Sequence, residues 1–367
     1  MVPTLRGPRS SIAAIPPVRP AARARSGRSR RCPMKTFKPL TPLFNQNNQP
    51  LTRLAPMQVI DRSGVRAGLP WDRLVARLRE VFAEGCVLPL RTAHSIAIPG
   101  DPDATLLLMP AWQGGRAIVV KILNIVPGNS ARGLPAVDAS VLVFDGQTGV
   151  LRAVLDGGEV TARRTAATSA MVADTLARRD AEELLIVGAG RIAANLAAAH
   201  ASVRRYRRVR IWARRESAAA TLARQLSELA PVVKSAPKLE QAVREADVIA
   251  CATLAREPLV HGEWLRPGAH LDLVGGYTPQ MREADDVAIA RAGVIYVDTF
   301  DGALAEAGDI VQPLASGAIT RARIAGELRD LCRGTGPGRD DDAVITAFKS
   351  VGTALEDYAA ATLVVEQ

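Results

Sequence analysis

Residues 183–193, Glu-Leu-Leu-Ile-Val-Gly-Ala-Gly-Arg-Ile-Ala, constrain this chain more than any other stretch. The apolar run 184–187 reads as a buried parallel strand. It ends in Gly188-Ala189-Gly190-Arg191-Ile192-Ala193, the G-x-G-x-x-A form of a dinucleotide fingerprint. Gly188 permits the tight turn, Gly190 lets backbone N–H groups approach a pyrophosphate, and Ala193 keeps the new helix close to the sheet. That helix, beginning at Arg191 and Ile192 and running to about 202, points the positive end of its dipole at the phosphates. A glycine triplet alone is weak evidence; strand, turn and small-residue helix in this order supply the confirming context.

Around this stretch the pattern is α/β. From 161 to 179 an Ala-rich helix, capped by Thr161, leads into the fingerprint. Beyond it strands at 184–187, 209–213, 232–233, 248–252, 270–274 and 295–298 alternate with helices at 191–202, 216–229, 238–245 and 283–292. This predicts a doubly wound, Rossmann-type parallel sheet over 166–339. Before it lie an entering strand at 57–61 and an amphipathic helix at 72–82, with Leu74, Val75, Leu78, Val81 and Phe82 at helical spacing. Strand-like runs follow at 93–98, 104–110, 117–126, 139–145 and 151–155, with a hairpin turn at Asp145-Gly146. After the Gly334–Gly338 stretch, a helix from 350 to about 364 returns to this first region. The parallel sheet is thus expected to be inserted in a mainly antiparallel α+β domain made of 35–165 and 340–367.

The formal charge of +10 suggests a nucleic-acid partner until its distribution is considered. Residues 1–31 hold eight arginines and no acid, so the rest of the chain is near +2 and carries no basic domain. The leader, 1–34, is too poor in apolar residues to fold. It reads as a disordered extension upstream of a start at Met34, with an Arg-rich transit peptide as the alternative. Neither a nucleic-acid nor a membrane partner is expected, and the expected compartment is the cytoplasm. The four cysteines form no C-x-x-C pair, and His94, His200, His261 and His270 show no metal-ligand spacing, so no metal is expected. Ser169 lacks the strained turn of a nucleophile, and Asp340-Asp341-Asp342 reads as a solvated turn or a helix start.

The tip of the second strand reads the adenine ribose in such folds. Here it runs into Ala213-Arg214-Arg215-Glu216: no acceptor for a 2′-hydroxyl, and two guanidinium groups suited to a 2′-phosphate. NADPH is the expected cofactor and NADH the second choice, with Glu216 as the one feature favouring the latter.

Several spaced stretches resemble the ornithine cyclodeaminase/μ-crystallin family over about 55–367. They are Lys121-Ile-Leu-Asn-Ile-Val-Pro-Gly-Asn129 with Gly133-Leu-Pro135, Thr161-Ala-Arg-Arg164-Thr165-Ala-Ala167, and Ala246-Asp247 to Ala252-Thr253. Gly275-Gly276-Tyr277-Thr278-Pro279 and Phe348-Lys-Ser350-Val351-Gly352 to Asp357 complete the set. The resemblance implies a homodimer with a split substrate-binding and dimerisation domain. It also implies that Arg91 and Lys121 grip a substrate carboxylate and that Arg164 and Thr165 lie near the cofactor phosphates. Thr253 and Ser350, Val351 and Gly352 would flank the nicotinamide. Read singly, Arg91 has a surface residue as its alternative reading and Arg164 one of an exposed pair, whereas Lys121 interrupts an apolar strand where an unpaired charge would be costly.

The departures narrow the expected activity. In the cyclodeaminases of the family an aspartate follows the paired glycines, where this chain has Tyr277, and a lysine four residues later is matched by Met281. Without that carboxylate, proton handling during ornithine oxidation and ring closure loses its agent. The Gly-Tyr-Thr-Pro-x-Met-Arg-Glu form at 276–283 looks like the branch that reduces cyclic ketimines. The expectation is an NADPH-dependent reductase of Δ1-pyrroline-2-carboxylate or Δ1-piperideine-2-carboxylate, giving L-proline or L-pipecolate. Lys121 would assist the proton, and Tyr277 or Thr278 would shape the pocket or order a water. An ammonia-releasing cyclodeaminase and a crystallin-like NADPH-dependent binding protein are the alternatives.

Overall fold

The computed structural model describes residues 56–366; the leader, most of the lead-in and Cys32 lie outside the described residues. The chain enters through β1 (Gln58–Ile60), α1 (Arg62–Gly68) and α2 (Trp71–Glu84). On α2 the five apolar positions expected to face inward are all buried. There follow β2 (Thr92–Ile96), β3 (Ala104–Gln113), β4 (Ala117–Ile125), β5 (Val137–Asp145) and β6 (Leu151–Asp156). They form a six-stranded sheet in the order β1-β6-β5-β4-β3-β2, antiparallel except for the β1–β6 pair. The expected hairpin turn is present: Asp145 Oδ1 accepts from the amides of Gln147 and Thr148.

Helix α3 (Gly157–Leu176) starts earlier than the Ala-rich pattern suggested. Its cap is Asp156, not Thr161: the Asp156 carboxylate accepts from Glu159 N at 2.6 Å. Gly157 makes the early start possible, because a Cβ there would lie 2.6 Å from the Ala139 carbonyl carbon of β5. Most of α3 is buried, because it packs against both sheets.

The second half runs β7 (Glu183–Val187), α4 (Arg191–Val203), β8 (Arg208–Trp212), α5 (Glu216–Gln225), β9 (Val232–Ser235), α6 (Leu239–Glu245), β10 (Val248–Cys251) and β11 (His270–Leu273). It continues with α7 (Asp286–Arg291), β12 (Val294–Val297), α8 (Phe300–Glu306), α9 (Gly308–Ser316), β13 (Ile324–Glu327), α10 (Leu328–Arg333), β14 (Thr346–Lys349) and α11 (Ala354–Val365). Eight strands pair in parallel in the order β13-β12-β14-β11-β10-β7-β8-β9. Helices α3, α4 and α5 cover one face and α6, α7 and α9 the other, so the sheet is doubly wound as expected.

Beyond the expected boundary at 340 the chain first forms β14. This late strand lies between β11 and β12 in the parallel sheet, while the α11 helix that follows packs under β3 and β4 of the other sheet. The segment 340–367 is therefore divided between the two sheets. Strands β13 and β14 are four residues each, and nothing in their spacing distinguishes them from loop. No helix among the described residues is long and apolar enough to cross a membrane.

Candidate active site

The chain order around β7 creates the crevice in which open α/β sheets bind ligands. From β7 it winds outward to β8 and β9, then crosses to β10 and β11 on the other side, leaving a switch point at the carboxyl ends of β7 and β10. Gly188 sits there with φ +129, and a Cβ on it would be 2.7 Å from the Ala252 carbonyl oxygen. A side chain there is excluded both by the backbone angle and by the neighbouring strand end. At Gly190 a Cβ would meet nothing within 4 Å. Gly190 is also the N-cap of α4 and contributes no side-chain cap, so the first amides of the helix are available to an anion.

These residues form the floor of a groove of about 500 Å³, whose far end is lined by Trp212, Arg214 and Arg215. Both arginines are exposed and line the groove; Glu216 opens the first turn of α5, as expected, and is absent from the lining. The groove therefore fits a dinucleotide: a side-chain-free approach for a pyrophosphate, a helix N-terminus beside it, and two cations at the far end.

A second cavity, of about 390 Å³, adjoins this groove across Gly190 and Thr253, which line both. It gathers Arg91, Lys121, Arg164 and Thr165 from the first half with Arg191, Ile192, Tyr277 and Val351 from the second. Leu107, Met109, Leu123 and Val274 supply apolar wall, and no carboxylate is among its lining residues. Three expected residues lie outside both linings. Ser350 is buried and donates its hydroxyl to Asp298 Oδ2 at 3.0 Å, while Thr278 spends its carbonyl on the Met281 amide. Gly352 lies on a further cavity that also touches Arg91.

Lys121 shows why a charge can stand in an apolar strand. It pairs across the sheet with Met109 and Val141 and is buried on their face. Helix α11 crosses that face and brings Asp357 Oδ2 to 2.6 Å from Lys121 Nζ. Arg164, from α3, donates through Nε to Asp357 Oδ1 at 3.1 Å and pairs through Nη1 with Glu356. Burial lowers the pKa of Lys121, opposed by Asp357. Burial also raises the Glu356 carboxyl to about 7, outweighing the guanidinium beside it. Arg164 thus faces the cavity from an ion-pair network, beside Lys121, and is not among the residues lining the dinucleotide groove.

Arg91 is half-buried, and its Nε donates to Glu306 Oε1 of α8 at 2.9 Å. The turn before α11 is held by Asp298, whose Oδ2 accepts from Val351 N and Gly352 N, each at 2.7 Å. Thr253 is anchored by Glu283, which accepts from its amide at 2.6 Å and its hydroxyl at 2.8 Å. Burial raises Glu283 to about 7 as well. Sequence reasoning missed Glu283, Asp298, Glu306 and Glu356, because each acts by pairing with a group far away in the chain.

Ser169 does meet a histidine and an aspartate: its hydroxyl lies 3.0 Å from His200 Nε2 and donates to Asp272. All three are fully buried between α3, α4 and β11, so the cluster is sealed from substrate and works as a polar link within the core. Among the described residues no group of His, Cys, Asp and Glu has metal-binding geometry.

Residues 86–367 match the ornithine cyclodeaminase/mu-crystallin family. A Δ1-pyrroline-2-carboxylate reductase of Paracoccus denitrificans is 39% identical over 297 residues, covering 81% of this chain and 92% of that protein. The ketimine reductase mu-crystallin of Mus musculus is 37% identical over 296 residues, covering 80% and 90%. The structure of the Thermococcus litoralis Δ1-pyrroline-2-carboxylate reductase in complex with NADH and L-proline superposes with a TM-score of 0.78 at 32% identity, covering 84% of this chain and 97% of that one. A fingerprint groove joined to a cation-bearing cavity, with similarity over nearly all of the described chain, leads to one conclusion: this chain belongs to the ornithine cyclodeaminase/mu-crystallin family.

Proposed function

We propose that this oxidoreductase uses NADPH to reduce cyclic ketimines that carry a carboxylate next to the C=N bond. Δ1-Pyrroline-2-carboxylate and Δ1-piperideine-2-carboxylate are the intended substrates, and L-proline and L-pipecolate the products. The observation that carries this reading is the small, mostly apolar cavity in which Arg91 and Lys121 stand beside Thr253 at the edge of the dinucleotide groove.

Bound in the groove, a reduced nicotinamide supplies the hydride. The remaining work falls to the chain. Arg91 and Lys121 hold the carboxylate and so fix C2 of the ring, since positioning of this kind supplies much of the rate enhancement. Leu107, Met109, Leu123 and Val274 exclude water from the C=N bond. Lys121, with its pKa lowered by burial, is suited to release a proton toward the ring nitrogen, directly or through a water. Tyr277, partly exposed at the rim, closes one side of the cavity. Arg214 and Arg215 favour NADPH over NADH by charge-assisted bonds to a 2′-phosphate.

The ammonia-releasing alternative is disfavoured by the cavity lining, which contains no carboxylate to take a proton from a substrate ammonium. The proposal includes a homodimer. It is supported by the outer face of the six-stranded sheet, where Pro110, Val120, Leu142 and Val154 form one row and Trp112, Ile118 and Phe144 the next, all of them half-buried.

The test is NADPH oxidation with Δ1-pyrroline-2-carboxylate, beside NADH and beside an ammonia assay with ornithine and NAD. Rapid oxidation with NADPH and no ammonia is the expected result. Ammonia release from ornithine would overturn the reading.

A further inference from the structure

Arg91 stands between two cavities. With Met109 and Val351 it lines both the substrate cavity and a second one of about 510 Å³, whose outer wall includes Thr299, Asp301 and Glu306. Glu306 engages the guanidinium along one edge, through Nε and Nη2. A guanidinium offers two bidentate faces, the Nε–Nη2 edge and the Nη1–Nη2 end. Here the edge is taken, and Nη1 makes no hydrogen bond or ion pair with the described residues.

The other cations are arranged likewise. Lys121 is backed by Asp357, and Arg164 by Asp357 and Glu356, and like Glu306 both carboxylates are outside the lining of the substrate cavity. The cavity therefore presents donors to a ligand while most of their charge is cancelled from behind.

We propose that Glu306 is a specificity-determining positioning residue, which turns the Nη1–Nη2 end of Arg91 to a single ring carboxylate and cancels the charge that a second carboxylate would require. This deepens the reading of the site as one for cyclic imino acids and rests on it. The selected class is the monocarboxylate ring; dicarboxylate rings are refused by the Glu306 charge behind Arg91, a repulsive element of the kind that separates related ligands. Replacing Glu306 by Gln keeps an acceptor for Nε and removes that charge.

The experiment uses the full chain with NADP+ present and measures binding by calorimetry, independent of turnover. The probes are pyrrole-2-carboxylate and pyrrole-2,5-dicarboxylate, planar rings that differ by one carboxylate. The wild-type protein is expected to prefer the monocarboxylate by about tenfold or more. In Glu306→Gln that ratio should shrink at least tenfold, while Glu306→Asp, which keeps the charge, should retain the preference. An unchanged ratio in Glu306→Gln overturns the proposal, as does a wild-type protein that binds both rings equally or binds neither. NADPH oxidation with Δ1-pyrroline-2-carboxylate is measured on the same samples. Selective binding without oxidation sinks the reductase reading and leaves the role of Glu306 standing, whereas oxidation with an unmoved ratio does the reverse.

Discussion

Asp357 divides its carboxylate between Lys121 and Arg164: Oδ2 lies 2.6 Å from Lys121 Nζ, and Oδ1 accepts from Arg164 Nε at 3.1 Å. One side chain from the last helix thereby orients a strand lysine and a helix arginine that are 43 residues apart in the chain. Losing one member of a buried ion cluster strands the others, at a cost of about 3–5 kcal/mol. Asp357→Asn, which preserves shape, should lower stability by that order. Because Lys121 is also released, kcat/KM should fall about a hundredfold or more. Urea denaturation and steady-state kinetics check both; a variant with wild-type kcat/KM would show that Lys121 is positioned by something else.

Arg214 and Arg215 make a prediction about the cofactor alone. Arg214→Ala should weaken NADPH binding by about ten- to a hundredfold, the worth of one charge-assisted hydrogen bond, and leave NADH nearly unaffected. Fluorescence titration with each cofactor decides it. Equal losses for both would mean that the loop packs against the adenine and does not read the phosphate.

Gly352 is held at φ +85, and a Cβ on it would stand 2.7 Å from Arg164 Nη1. Gly352→Ala should therefore cost about 1–3 kcal/mol through backbone strain and displace Arg164 as well. The expected pattern is a lower Tm together with a raised KM for the imino acid. A lower Tm with KM unchanged would separate the turn from the site.

Burial holds Glu356 and Glu283 at about 7 against an ordinary value of 4.5. Between those pH values the folded protein keeps protons that the unfolded chain releases. Stability contributed by these groups is thus greatest in mild acid and falls as pH rises toward 7, with a slope of at most roughly 1.4 kcal/mol per pH unit for each group. Urea midpoints from pH 5 to 8 should show this decline, and Glu356→Gln should flatten it. Identical slopes in the two proteins would mean that Glu356 is ionised throughout.

The two apolar rows on the outer sheet face predict self-association. Leu142→Glu places a charge in the middle of them and should shift the protein toward monomer in sedimentation velocity at micromolar concentration, with the secondary structure retained. A monomeric wild-type protein under the same conditions would remove the dimer from the proposal.

The fingerprint was legible because its chemistry is local. Gly188 and Gly190 act through their own backbone and the next helix, so eleven consecutive residues sufficed to locate the groove, and Arg214 and Arg215 followed from strand spacing. Lys121 was legible for a related reason: a charge within Ile-Val-Val-Lys-Ile-Leu demands a partner. The alternation of β3 to β6 and the period of α2 likewise made most of the first sheet and its helix readable. Which carboxylate answers Lys121, that β14 enters the parallel sheet from the far end of the chain, and that Glu306 backs Arg91 were decided only by the tertiary structure. Ion pairs and strand order depend on distances in space between segments that share no sequence period, and the packing of α11 against β3 and β4 and the position of α8 beside Arg91 set those distances.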